Sequence, residues 1–206
     1  MTDVGDVSTV LGMNVAHDHE KGTITIDQRD YTGDIVERFG MKACDPVFTP
    51  ETGRELSLYY PEHNLLDKEG KRRYQPIVGG TMYLAQVSRY DVPYAVNQLA
   101  RRMPKPLKAH MGAAKHLLRY LTGSTDFFIT YKQGGRKLAA FSDTNGGNIP
   151  DNGKSKSSYI GMLANGPISF KVGLQSLTAQ STMESELVEA ALTMEDTVFC
   201  THDERS

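Results

Sequence analysis

The sequence predicts an α+β chain in three parts: an N-terminal β-hairpin with a short helix, a helical connection, and a C-terminal β-β-β-α unit. Three observations carry this. Apolar and polar residues alternate with period two over 23–26 and again over 168–172. Between them Leu107, Met111, Ala114, Leu118 and Leu121 recur at three- and four-residue steps, the stripe of an amphipathic helix. The stretch 182–199 repeats such a stripe with Met183, Leu187, Ala190, Ala191, Met194 and Val198.

Taken in order, 10–15 and 23–26 form a hairpin around the polar turn His17-Asp18-His19-Glu20-Lys21-Gly22. A metal could use His17 and His19, but without further ligands two solvated loop histidines are the simpler reading. A short helix follows over 34–39, with Ile35, Val36 and Phe39 as its apolar side and Gly40 as its stop. Prolines, Gly53, Gly70 and mixed charges make 45–72 an irregular connector. Helices are expected over 75–102 and 107–121; in the second, His110 and His116 lie six residues apart and cannot share a face, which argues against a paired-histidine site. After Gly134-Gly135 come strands at 137–143, 158–164 and 168–172, the last two joined by Asn165-Gly166, a pair suited to the positive φ angles of a tight hairpin turn.

Of 206 residues, 39% are hydrophobic and 23% charged, which excludes collagen-like, mucin-like and wholly disordered chains. Cys44 and Cys200 have no ligand spacing, so neither a disulfide framework nor a thiolate zinc site is expected, and a reducing intracellular compartment, cytoplasm or nucleus, fits. No apolar stretch approaches the roughly 20 residues of a bilayer span, and the first residues lack a basic region followed by an apolar one, so no membrane partner is expected. Charge is unevenly placed. Residues 1–70 hold 6 basic and 14 acidic groups, 92–142 hold 9 and 1, and 143–206 hold 4 and 9. The basic middle, with Arg101, Arg102, Lys105, Lys108, Lys115 and Arg119, suits a polyanion such as nucleic acid; a solvated helix face is the plainer alternative.

Two loop motifs fail on context. Gly153-Lys154-Ser155 has Asn148 where a phosphate loop needs glycine, and a strand follows where a helix is required. Asp143-Thr144-Asn145-Gly146 breaks the Asp-Thr-Gly of aspartic proteases and has no second copy. Asp143 has another use. It ends the first C-terminal strand, and Glu184 and Glu186 stand on the first turns of the last helix, about 160° apart around its axis. One of them can face the strand end, and two carboxylates so placed could hold Mg²⁺, which prefers oxygen ligands and keeps several waters. Early-turn glutamates also complement a helix dipole without any ion.

Several ordered blocks resemble the Pol polyprotein of Ty1/copia-type retrotransposons, from the end of the reverse transcriptase into RNase H. They include Leu11-Gly12-Met13, Asp27-Gln28, Tyr31 and Glu37-Arg38-Phe39-Gly40-Met41; then Tyr74, 78–84, 94–97, His110, Ala113-Ala114-Lys115 and Leu118-Arg119-Tyr120-Leu121; then Ser142-Asp143, Lys154-Ser155, Ser157, Tyr159, 168–171 and 181–186. The resemblance implies a reverse transcriptase C-terminal end over 1–50, a helical thumb or connection over 51–130, and a truncated RNase H-like β-β-β-α unit over 131–206.

In RNase H-like enzymes clustered carboxylates hold two metal ions that activate water and stabilise the leaving oxygen as the RNA strand of an RNA:DNA hybrid is cut. The resemblance implies Asp143 and Glu186 as catalytic and metal-binding residues, Mg²⁺ as cofactor, and a hybrid or other nucleic acid and the remainder of the Pol polyprotein as partners. The family's third carboxylate lies on a strand beyond the helix, and the sequence ends at Ser206, so Mg²⁺ binding is expected to be weak or absent and the isolated chain to have little activity. The family's Asp-Ala-Asp-Trp-Ala-Gly is Asp143-Thr144-Asn145-Gly146-Gly147-Asn148 here, and its tryptophan is Phe170. A non-catalytic nucleic-acid-binding module and a degenerate relic are the alternatives.

Overall fold

A computed structural model describes residues 6–52, 64–134, 138–145, 156–174 and Thr193. The chain divides into two compact units, 1–130 and 131–206. The described residues are mixed α and β, with two antiparallel sheets and four helices: α1 (Arg29–Arg38), α2 (Lys68–Val87), α3 (Pro93–Ala100) and α4 (Lys108–Gly123).

In the first unit, β1 (Thr9–Val10), β2 (Met13–Asp18) and β3 (Thr23–Asp27) form an antiparallel meander; β4 (Phe128–Lys132), next to β3, begins in this unit and ends in the second, to which Tyr131 belongs. Where the sequence pattern gave one strand over 10–15, the chain turns at Leu11 and Gly12, both at positive φ (50° and 74°). Leucine rarely adopts that conformation. The Tyr83 hydroxyl of α2 donates to the Leu11 carbonyl and anchors the turn.

The core lies among the helices. Ile35 and Val36 of α1, Tyr74, Ile77, Val78 and Leu84 of α2, Val96 and Leu99 of α3, and Ala114, Leu117, Leu118 and Leu121 of α4 are all buried. The stripe expected on α4 therefore packs as its spacing implies. The expected helix at 34–39 starts earlier, at Arg29, because Gln28 is buried and Thr32 Oγ1 donates to its carbonyl, making the first turn part of the core. Likewise α2 starts at Lys68, inside the expected connector, where the Asp67 side chain accepts from the Gly70 N–H at 2.8 Å and caps the helix.

The helix expected over 75–102 is two helices, interrupted at 88–92. Pro93, with no N–H to continue the helix, stands at the restart, and a buried cation fixes the link before it. Arg89, 2% exposed, donates to both carboxylate oxygens of Asp91 (2.9 and 2.6 Å) and to the carbonyl and hydroxyl of Ser124 (3.1 and 2.7 Å). Tyr120 donates to Asp91 at 2.8 Å, and the guanidinium lies 5.6 and 5.2 Å from the ring centres of Tyr120 and Phe127. Burial pushes the Asp91 carboxyl up, but the hydrogen bonds and charge of Arg89 outweigh this and hold it below the usual carboxylate range. The end of α2 is thus tied to the end of α4, and a helix continuing through 88–92 would move Arg89 off its partners.

His110 shows the same use of a buried polar group. Its Nδ1 accepts from the Leu107 N–H at 2.9 Å, capping α4, and its Nε2 is buried with no hydrogen-bond partner among the described residues. Burial first, and the Arg102 charge second, lower its pKa to about 4.

In the second unit, β5 (Ala139–Asn145), β6 (Lys156–Leu163) and β7 (Gly166–Leu174) form an antiparallel sheet in that order. The turn between β6 and β7 differs by one residue from the expected Asn165-Gly166. Its positive φ angles belong to Ala164 (52°) and Asn165 (66°), and Gly166 already pairs with Leu163. Gly166 is needed for space instead: a Cβ there would stand 2.5 Å from the Tyr131 ring, whose hydroxyl donates to the Pro167 carbonyl. The helix expected over 182–199 lies outside the described residues except Thr193, which is helical and buried.

Replacing Arg89 with methionine strands a partly buried carboxylate and should cost about 3–5 kcal/mol in urea unfolding, part of it recovered when Asp91 is also replaced by leucine. A loss within about 0.5 kcal/mol, the range of surface substitutions, would remove the network from the account. For His110 the unfolded chain binds the proton more tightly than the folded one. Its contribution is therefore complete above about pH 6.5 and is lost as pH falls towards 4, by up to about 3 kcal/mol. His110→Asn, which keeps an acceptor for the Leu107 N–H, should flatten the unfolding free energy over that window relative to wild type; an unchanged pH profile would contradict the assignment.

Candidate functional site

Asp143 sits on β5 opposite Ser158 of β6, with its side chain exposed. The main chain is held in the sheet, and Ser158 Oγ also approaches the Asp143 carbonyl at 3.5 Å. Period-two alternation explains the position: on β5, Phe141 and Asp143 point the same way and Ser142 the other. Its partner on β6, Ser158, lies beside Tyr159, which is buried and whose hydroxyl is 3.2 Å from Ser169 Oγ of β7. An exposed carboxylate on a paired strand is a fixed, hydrated oxygen donor, which suits a magnesium ligand. Glu184 and Glu186 lie outside the described residues.

The six basic residues of the middle segment do not form one surface. Lys105, Lys108 and Lys115 are exposed, and the last two, seven residues apart on α4, lie two turns apart on one side of the helix. Arg101 is half-buried. Arg102 is 6% exposed, and its charge reaches Tyr74 and His110, so it belongs to the interior and offers little to a ligand. Arg119 is half-buried, and its Nε donates to the Asp45 carbonyl at 2.6 Å; His116, one turn earlier, donates to the Thr49 carbonyl at 2.9 Å. The two side chains fasten the segment after α1 along α4. The exposed cationic group is therefore Lys105, Lys108 and Lys115, with parts of Arg101 and Arg119.

One cluster is completed only by the fold. His17 and His19 are joined by Asp6, whose carboxylate lies 2.8 Å from His19 Nε2. The only sequence signal was the His-Asp-His turn, since the approach of Asp6 depends on how the chain enters β1.

The chain is 30% identical over 202 residues, 97% of its length, to a retrovirus-related Pol polyprotein from transposon TNT 1-94 of Nicotiana tabacum. It is 36% identical over 170 residues, 82% of its length, to the corresponding polyprotein from transposon RE2 of Arabidopsis thaliana. The chain belongs to the Ty1/copia-type retrotransposon Pol family. It spans 15% and 11% of those two polyproteins. A putative transposon Ty5-1 protein of Saccharomyces cerevisiae is 27% identical over 196 residues, which cover 94% of this chain and 62% of that protein. No family model matches the chain, and no solved structure matches it. In this Pol-family chain no helix among the described residues is long and apolar enough to cross a membrane.

Proposed function

We propose that this Pol-family chain is the segment running from the end of the reverse transcriptase through the connection into an RNase H-like unit, and that Asp143 and Glu186 belong to a Mg²⁺-dependent centre that cuts the RNA strand of RNA:DNA hybrids. The observation that carries this is the antiparallel β5-β6-β7 order with an exposed aspartate near the end of β5, in a chain whose relatives are Pol polyproteins.

Bound Mg²⁺ supplies an activated water and charge stabilisation for the leaving oxygen. The protein's part is positional. The β5–β6 pairing fixes the Asp143 backbone, so its carboxylate needs little reorganisation to meet a cation, and Glu186, on the helix expected over 182–199, is the second carboxylate of the proposed centre. Two carboxylates and water make a weak site, and a two-metal clamp needs a further acidic ligand. Amide NMR titration with MgCl₂ tests the pairing. Shifts should centre on 142–144, with affinity reduced at least about tenfold by Asp143→Asn and by Glu186→Gln. A titration unchanged by either substitution would sink the reading.

The exposed Lys105, Lys108 and Lys115 favour a second reading, a non-catalytic nucleic-acid-binding module. Three cationic contacts give sequence-independent binding whose logarithm falls with log salt at a slope of at most about −3. In gel shifts with an RNA:DNA hybrid, Lys108→Gln and Lys115→Gln together should reduce that slope by about two. Absence of a shift at low salt, or a slope indifferent to the substitutions, would contradict it.

A further inference from the structure

The β2–β3 turn carries a second potential metal site, unrelated to the carboxylates. His17 ends the face of β2 that pairs with Ile24, and His19 stands two residues on in the turn, so both imidazoles emerge on one side. Their ring centres are 3.7 Å apart and their planes inclined by 44°. Asp18, between them, is taken up by the turn: its carboxylate accepts from the Glu20 and Lys21 N–H groups at 3.1 and 3.0 Å and pairs with the Lys21 ammonium at 2.9 Å. The loop is thus held by a residue that is not itself a candidate ligand. Asp6, ahead of β1, reaches across to His19, and one ligand atom from each of Asp6, His17 and His19 lies within 4.8 Å of the others.

We propose that Asp6, His17 and His19 bind a divalent transition ion of the zinc-to-copper class. Two imidazoles and one carboxylate are borderline donors that favour such ions over Mg²⁺ or Ca²⁺, which prefer all-oxygen sites. Zinc–nitrogen bonds of about 2.0–2.1 Å place tetrahedral ligand atoms roughly 3.4 Å apart, so the three groups need only side-chain adjustment to close on one ion. The ion takes over the Asp6–His19 hydrogen bond, and water completes the coordination. All three ligands are exposed, so binding is weaker than at a buried four-ligand site. Its effect is mechanical: it ties the chain before β1 to the far turn of the hairpin.

The test is calorimetric titration of the untagged full chain with ZnCl₂, with amide NMR to locate the ion. One Zn²⁺ per chain is expected, with perturbations at residue 6 and at 17–19, no competition from MgCl₂, and at least about tenfold weaker binding in His19→Ala and in Asp6→Asn. Because the three side chains are exposed, the variants should fold, which circular dichroism checks. The proposal is overturned by no binding above buffer, by an affinity unchanged in the His17→Ala/His19→Ala double variant, or by an Asp6→Asn variant that binds as wild type. Zn²⁺-induced shifts confined to other histidines, such as His116, would overturn it as well.

Discussion

The helical unit depends on how one guanidinium is kept out of water. Arg89 is nearly inaccessible, and an uncompensated cation there would cost several kcal/mol. Asp91 answers it with two hydrogen bonds, Ser124 with two acceptors, and the rings of Tyr120 and Phe127 enclose it. These partners come from the link between α2 and α3 and from the end of α4 and beyond. Meeting the demands of one cation therefore fixes where α2 stops, how α3 departs, and where α4 delivers the chain to β4. Hydrophobic packing fills the space among these helices, but it is non-directional and would tolerate several arrangements. The directional constraint comes from Arg89.

How much of this was legible follows from how local each determinant is. The stripe on α4 and the alternation on β7 are statements about neighbours, and both elements are present in the structure. The break at 88–92 had one local signal, Pro93 in the first turn of α3, which lacks the N–H a continuous helix would need; the partners that hold Arg89 there, Tyr120 and Ser124, sit some thirty residues on and were not legible. The tight turn at Leu11 was hidden because leucine is a poor residue for positive φ, and a tyrosine on α2 holds it in place. At the β6–β7 turn, Asn165-Gly166 pointed to the right hairpin but the wrong register. Crowding by Tyr131, far upstream, explains why glycine is required one position beyond the turn.

The same distinction governs the sites. Counting charges along 101–119 gave six cations with no regard to face, whereas the fold withdraws Arg102 into the interior and commits Arg119 to a carbonyl seventy-four residues earlier. Three lysines remain as the accessible group. For the carboxylates, the strand that carries Asp143 followed from a short apolar run over 137–143, and the preference for Glu186 over Glu184 came from family resemblance, since helical periodicity left both open. The Asp6–His17–His19 cluster needed the fold outright, because nothing in the spacing from residue 6 to residue 17 announces proximity.

The proposed centre requires two acidic side chains to be close together, Asp143 on β5 and Glu186 on the helix that the sequence pattern predicts over 182–199. Crystals of the chain soaked in MnCl₂ and measured at an anomalous wavelength examine this directly. The account requires a manganese peak shared by the Asp143 and Glu186 carboxylates, each about 2.2 Å from the ion. Carboxylates on opposite sides of the β5-β6-β7 sheet, or manganese bound elsewhere with neither of them as ligand, would contradict it.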